Sequence, residues 1–509
     1  MSQLKTYHRF SLIISIATIT FSSAFKFPPI ATLELAIGVV RGSLRQQPPL
    51  TKPCMSSRSK TVSTMRMSAT IQFQEHLPLI QSSFSRQRKE QPTERTYNFI
   101  MGNEAGDADS IISALTLSYV RNCLKAGSVK DSSEQEITKT LHIPIVSINR
   151  EDMALRRDVI LLLSLLDIDD QKLIYIDDDS FRSIVNTNTI RSNHEDEKIQ
   201  ESLSFTLVDH NKLRNDLYGL YENDVVEILD HHKDEGSHVQ SVVDSRRNVA
   251  FEGANALVGS SCTLIVEEII RSMSLTDEFV DPGVALSLLG VILLDTLNMS
   301  KAAGKGTHRD GVAIKFLTEK IDWKRLHCDE KAKELIWSDG IGSEASDGPD
   351  REKFFRFLND AKSDAVFWND MTVRDALRID YKRFTSTNGE KVFGLSSVML
   401  SISSFLSKKD FEKQAIRFME EVNIDLIGIL SMTVVDDSPK REFLLIGNRM
   451  EVTVLTDFFL NQNSSASFLQ MSLEKKACFG DDKEYVIFQQ QNPKGSRKQV
   501  APVLINYYA

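Results

Sequence analysis

Residues 97–110 read YNFIMGNEAGDADS, and this stretch decides the fold. Tyr97–Met101 is an apolar run of buried-strand length, and the spacing predicts a helix over Ser110–Lys125. Between them Gly102 and Gly106 permit a tight backbone bend. Asp107 and Asp109 point two ways around that bend and can serve two neighbouring cations, although Asp109 or Ser110 equally suits a helix cap. A strand that breaks through glycine and acid into a helix is the repeating unit of a doubly wound sheet. In such sheets ligands sit at the carboxyl ends of the strands.

The same pattern continues outward. Leu141–Ile148, Leu173–Asp177, Phe205–Asp209 and Val225–Asp230 are further strand candidates, with a helix over Ala154–Leu166. The alternation predicts an α/β fold with a doubly wound, mostly parallel sheet. Several strands end in chemistry-bearing residues: VDHN at Val208–Asn211 and DHHK at Asp230–Lys233. A lone Asp209 suits a turn, and two adjacent histidines suit a solvated loop. Asp295 follows the apolar segment ALSLLGVILL, Ala285–Leu294, where a carboxylate costs desolvation energy unless a cation or several donors meet it. Together Asp107, Asp109, Asp209, His231 and Asp295 make a ligand set for two hard or borderline divalent ions, Mg²⁺ first and Mn²⁺ second. Two such metals activate a water and clamp a phosphoryl group for in-line attack.

The chain has 509 residues, 41% hydrophobic and 26% charged, with 61 basic against 70 acidic side chains and a net charge of −9. That size predicts two or more domains, and the acidic balance argues against a nucleic-acid partner. The five cysteines form neither CxxC pairs nor a disulfide framework, which fits a reducing compartment. Residues 1–24 are signal-like: Ser11–Phe25 is apolar, follows Lys5 and Arg9, and is too short for a stable membrane span. Residues 25–92 read as a transit-like or disordered leader, with Glu34 the only acid between Phe25 and Gln74. A first domain over 93–337, a Gly/Ser/Asp-rich linker over 338–350 and a second domain over 351–509 complete the expected organisation. The second domain is read as a smaller α/β unit with a helical stretch at Phe354–Leu377 and strands at Val392–Leu400, Ile424–Val435 and Glu442–Gly447.

In this order GNEAGDADS, VDHN, DHH and LLDT resemble the DHH phosphoesterase superfamily. IDYKRF (Ile379–Phe384) and GSRKQVAPVL (Gly495–Leu504) resemble the C-terminal domain of one branch. That branch holds the exopolyphosphatases, the prune proteins and the manganese-dependent (family II) inorganic pyrophosphatases. The glycine-histidine motif of the nuclease branch is missing from the C-terminal part. The resemblance implies an active site between the two domains and assigns residue roles. Asp107 and Asp209 resemble ligands of one metal; Asp109, Asp209, His231 and Asp295 resemble ligands of the other, with Asp209 as the bridge. His232 faces the substrate phosphate, while Lys382, Arg497 and Lys498 match the cations that the second domain swings onto phosphates. Asn103 stands where the pyrophosphatases carry histidine, as a neighbour of the first metal. It matches the exopolyphosphatases and shifts the expectation toward release of terminal phosphate from polyphosphate and toward Mg²⁺. Lys305 and Arg309, in SKAAGKGTHRD, are further candidates for binding the chain. Pyrophosphatase action, prune-like hydrolysis of short polyphosphates or nucleotides, and a catalytically silent binding protein are the competing readings. The family implies a cytoplasmic enzyme, the leader implies organellar import and resembles the bipartite leaders of algae with secondary plastids, and oligomeric state is left open.

Overall fold

The computed structural model describes residues 72–87, 95–127, 140–191, 201–253, 255–273, 280–337, 348–435, 438–480, 482–492 and 495–509. The signal-like segment and most of the expected leader and linker therefore lie outside the described residues. The chain is α/β. Strands β1 (Arg95–Met101), β2 (Thr140–Ile145), β3 (Glu201–Val208), β4 (Val225–Asp230) and β5 (Arg247–Val249) form a parallel sheet in the order β2-β1-β3-β4-β5. Both faces are covered, as a parallel sheet requires. On one side Ile100 and Val208 meet α2 (Ala108–Gly127), α3 (Arg157–Leu165), α4 (Ser261–Met273) and α5 (Pro282–Asp295). On the other, Tyr97, Phe99, Phe205 and Leu207 pack with Phe181 and Leu217.

The expected leader boundary at residue 92 is corrected. Helix α1 (Phe73–Gln87) lies inside that range and belongs to the fold. Its Phe73, Leu77, Ile80 and Phe84 are 0–3% exposed. They fall at seven-residue spacing in two rows, so one face packs on both cores. The expected strand Leu173–Asp177 is also corrected: only Tyr175 bridges, to Val146. Asp178 takes the Tyr175 N–H at 2.9 Å, which removes a ladder donor and bends the chain.

Beyond the first sheet, α6 (His308–Glu319) and α7 (Arg351–Ser363) follow, the latter capped by Asp350, whose carboxylate accepts from Lys353 N. The expected helical stretch Phe354–Leu377 is divided among three helices, Arg351–Ser363, Ala365–Asp370 and Val373–Arg378. Asp364 and Thr372 each act as a new N-cap and restart the chain. A six-stranded mixed sheet then forms from β6 (Tyr381–Thr385), β7 (Val392–Val398), β8 (Ile427–Val435), β9 (Ser438–Asn448), β10 (Met471–Phe479) and β11 (Lys483–Gln490). Its order is β10-β11-β9-β8-β7-β6. On β9, Leu444 and Ile446 face one core. Phe443 and Leu445 face the other, shared with α8 (Arg449–Leu460) and α9 (Arg497–Tyr507). No described helix is long and apolar enough to cross a membrane.

Candidate functional site

The turn after β1 works only with glycine at two places. A Cβ on Gly102 would stand 2.6 Å from Ser110 Cβ, and Gly106 has φ +54°. This close approach lets Asp107, not Asp109 or Ser110, cap α2: its Oδ1 accepts from Ser110 N at 3.0 Å. Buried Arg156 holds the turn from beneath, donating from Nε to Gly106 O at 2.7 Å and from Nη2 to Ala105 O. Asp109 is thereby directed at the N-terminus of α4. Its Oδ1 accepts from Ser260 Oγ (2.8 Å) and Cys262 N (2.9 Å), and its Oδ2 from Ser261 N (2.7 Å). Helix N-termini favour such an anion.

Asp209 follows β3 with φ +61°, a left-handed backbone rare for a residue with a side chain. Its Oδ2 accepts from Asn103 Nδ2 (2.6 Å) and Ser110 Oγ (2.7 Å). Its Oδ1 lies 3.3 Å from His231 Nε2 and 3.5 Å from His232 Nδ1. His231 donates from Nδ1 to the Val258 carbonyl at 3.1 Å, which leaves Nε2 as the ring's free lone pair. That atom also lies 3.7 Å from Asp109 Oδ2 and 3.4 Å from Lys498 Nζ. His232 donates from Nδ1 to Asp230 Oδ1 at 2.8 Å, so it too presents Nε2 as an acceptor. Asp230 is fully buried and also receives the backbone N–H of His231 (2.7 Å) and Asn211 Nδ2 (2.6 Å).

These contacts set the charges. Burial opposes ionisation of Asp209, but His231, His232 and Lys382 outweigh it and hold its pKa low. Burial, then Asp209, pushes Asp109 up to about 6. Asp107 is raised for the same two reasons. Burial, then Asp109, raises Asp295 well above the usual carboxylate range. Its buried Oδ2 has no hydrogen-bond partner. Burial, then Lys498, brings His232 down to about 3. For His231, burial and Lys498 oppose the charged form, yet Asp209 and Asp109 prevail and raise it. Donor atoms of Asp209, His231 and His232 all lie within 4.8 Å of one another. Converging carboxylates, an imidazole lone pair held by its second nitrogen and an orphaned acid oxygen fit divalent cations.

The second domain brings its cations to the same place. Lys498, in the first turn of α9, reaches His231 as given above. Arg497 pairs with Asp380 Oδ1 at 2.6 Å. Burial, then Arg497, lowers the pKa of Lys382 on β6, while Asp209 and Asp107 attract it. Two expected residues stand differently. Asn103 accepts from Ala105 N at 2.8 Å with its Oδ1 and turns its amide nitrogen to Asp209, so it is a donor to the expected bridging acid and offers that acid no oxygen. Arg309 is committed to Glu267 through two bonds of 2.8 and 2.6 Å. Sequence reasoning missed Arg156, Asp230 and Lys362. Lys362 sits 3.6 Å from Asp158 Oδ2, and its charge also acts on Asp295 and Asp107. Asp230 was visible as the first letter of DHHK; the other two carry no local motif.

The family description "DHH family, N-terminal domain" matches residues 98–290, and "DHHA2 domain" matches residues 357–507. Exopolyphosphatase PRUNE1 of Bos taurus is 27% identical over 340 residues, 67% of this chain and 60% of that protein. The chain thus spans about three fifths of that relative's length. Exopolyphosphatase PRUNE1 of Rattus norvegicus is 25% identical over 411 residues, 81% of this chain and 75% of that protein. The crystal structure of a Methanococcus jannaschii protein assigned as a family II inorganic pyrophosphatase covers 81% of this chain and 99% of its own, at 20% identity and a TM-score of 0.48.

Proposed function

The chain belongs to the DHH phosphoesterase superfamily, in the exopolyphosphatase and prune branch with a DHHA2 second domain, and from that premise we propose that it hydrolyses phosphoanhydride bonds, releasing terminal phosphate from inorganic polyphosphate. The observation that carries this reading is the meeting of two opposite charge clusters. Asp109 and Asp209 converge on His231 Nε2 from the first domain, and Lys498 arrives 3.4 Å from the same atom from the second. An acidic cluster alone would repel a polyphosphate; acids that hold cations, faced by lysine and arginine, attract one.

Asp107, Asp109, Asp209, His231 and Asp295 would hold two or more divalent cations, with Asp209 shared. When bound, these supply water activation and charge neutralisation at the phosphoryl group. Carboxylate-rich coordination with a single imidazole favours Mg²⁺, with Mn²⁺ second. Asn103 and Ser110 hold Asp209 in one orientation by occupying its Oδ2. His232, kept neutral, accepts a hydrogen bond at Nε2. Lys382, Arg497 and Lys498 neutralise charge on the transferred and leaving oxygens, and Asp380 fixes the Arg497 fork. The described fold begins at residue 72, and the residues before it direct organellar import. A fluorescent fusion of residues 1–71 that stays in the cytosol refutes the import reading alone.

The decisive experiment measures phosphate release from polyphosphate and from pyrophosphate with Mg²⁺, before and after chelation. Preference for polyphosphate, abolished by chelator, is the expected result. Preference for pyrophosphate makes the protein a pyrophosphatase instead, and no release from either makes it a silent binding protein.

A further inference from the structure

Three consecutive residues with side chains, Leu297, Asn298 and Met299, have φ of +48°, +51° and +60°. Left-handed backbone is unfavourable for such residues and is ordinarily visited one residue at a time. The run begins two residues after Asp295, so strained backbone sits beside a candidate cation ligand. Backbone bonds maintain it: Asn298 N donates to Leu293 O at 2.7 Å, Leu297 N to Leu294 O at 3.2 Å and Ser300 N to Leu297 O at 3.0 Å. From outside, Asn298 Nδ2 donates to Glu352 Oε2 at 2.8 Å, and its Oδ1 accepts from Arg351 Nη2 at 3.0 Å. Both partners open α7.

Thr296 joins this turn to the acids. It is fully buried. Its Oγ1 donates to Ile292 O at 2.6 Å and accepts from Met299 N at 3.2 Å. One hydroxyl thereby ties the last turn of α5, which bears Asp295, to the left-handed run. The Thr296 methyl group occupies the space beside Gly259: a Cβ there would stand 2.7 Å from Thr296 Cγ2 and 3.0 Å from the Lys305 carbonyl oxygen. Gly259 is fixed in turn, its N–H donating to Asp310 Oδ1 and Oδ2 at 3.0 and 2.8 Å. The next residues, Ser260, Ser261 and Cys262, hold Asp109. Thr296 therefore bears at once on the helix end that carries Asp295 and on the segment that grips Asp109. The two acids repel each other, and Asp295 Oδ2 has no hydrogen-bond partner to keep it in place. Their separation is left to the backbone on which they stand.

We propose that Thr296 is a positioning residue whose hydroxyl, by holding the left-handed turn, keeps Asp295 at the separation from Asp109 that a bound divalent cation requires. This rests on the cation-site reading and deepens it. Thr296 makes no contact with the cation; it acts through Asp295. With the hydroxyl removed, the turn relaxes toward right-handed backbone and the end of α5 moves with it.

The test uses the full chain and measures Mg²⁺ and Mn²⁺ affinity by titration calorimetry without substrate, beside the urea midpoint in chelator. Thr296→Val keeps the shape and removes the hydroxyl, and is expected to weaken cation binding about tenfold. Thr296→Ser, which keeps the hydroxyl, recovers most of that loss. If Thr296→Val does not fold, Glu352→Ala takes its place. It cuts the outer tie at an exposed position and is expected to weaken cation binding about threefold. Parent affinity in a folded Thr296→Val, or in Glu352→Ala where the first does not fold, overturns the positioning role. So does a loss that Thr296→Ser fails to recover. A lowered urea midpoint with parent affinity assigns Thr296 to stability alone and overturns it equally. If the unsubstituted chain binds neither Mg²⁺ nor Mn²⁺, the cation-site reading itself falls, and this is seen before any variant is made.

Discussion

Shortening the chain to residue 93 is expected to unfold it, while shortening it to residue 72 is expected to leave it intact. The difference is helix α1, whose Phe73, Leu77, Ile80 and Phe84 are nearly inaccessible. Burying each such side chain is worth about 1.5–3 kcal/mol, so the four contribute about 6–12 kcal/mol. Residual burial in the unfolded chain trims this by roughly 10–40%. Even the trimmed figure rivals a typical domain stability of about 5–15 kcal/mol. A gentler version is Phe84→Ala. Phe84 meets Tyr97 and Phe99 edge-on, at ring-centroid distances of 5.8 and 6.1 Å. Removing a buried phenyl ring costs about 3–5 kcal/mol. With a urea slope of about 1–3 kcal/mol/M, the midpoint falls by about 1 M or more. Urea titration followed by tryptophan fluorescence reads this directly, since Trp323 and Trp368 are buried. A Phe84→Ala midpoint within about 0.3 M of the parent chain, or a stable, active chain beginning at residue 93, would show that α1 merely rests on the surface.

Three further outcomes are expected. Asp209→Asn lowers kcat by at least about a thousandfold, about 4 kcal/mol, because both cation positions lose a shared carboxylate; a loss below about tenfold refutes the bridging role. Lys498→Gln raises KM and lowers kcat without changing cation affinity in the absence of substrate, measured by titration calorimetry; weakened cation binding would place Lys498 among the structural supports of His231. In chelator, Asp109 makes a contribution to stability that falls as pH rises from about 4 to about 6, because burial and Asp209 raise it to about 6 in the folded state, where it keeps a proton that the unfolded chain releases. Histidines lowered by burial, His232 at about 3 among them, act in the opposite direction, so the contribution is read as the difference in thermal midpoint between the parent chain and Asp109→Asn. The parent's midpoint should fall relative to the variant's as pH rises; a difference that does not change with pH contradicts it.

What the sequence disclosed follows from how local each signal is. Asp107, Asp109, Asp209 and His231 sit beside strand ends, where period and punctuation are readable over a few residues; Asp109 and Asp209 lie 3.7 and 3.3 Å from His231 Nε2, and Asp107 caps α2. Asp295 was conspicuous because it follows the apolar run Ala285–Leu294, all of which is buried in α5. Helix α1 escaped because its acid-poor composition matched the leader before it, although Phe73, Leu77, Ile80 and Phe84 carry a helical stripe. Lys362 and Arg156 have meaning only through partners such as Asp158 and Gly106, fixed by tertiary packing. Arg309 looked available for the same reason: nothing nearby in the chain announces Glu267.

The grip of α4 on Asp109 has a kinetic corollary. The bonds from Ser260, Ser261 and Cys262 close loops of 151, 152 and 153 residues. Contacts so distant in sequence cost loop-closure entropy and form after local helices and neighbouring strands. The carboxylates are therefore splayed apart in any partly folded chain and come together only when the sheet is complete. A refolding chain should gain secondary structure first and high-affinity cation uptake last, which makes the appearance of cation binding a clock for the final step of assembly.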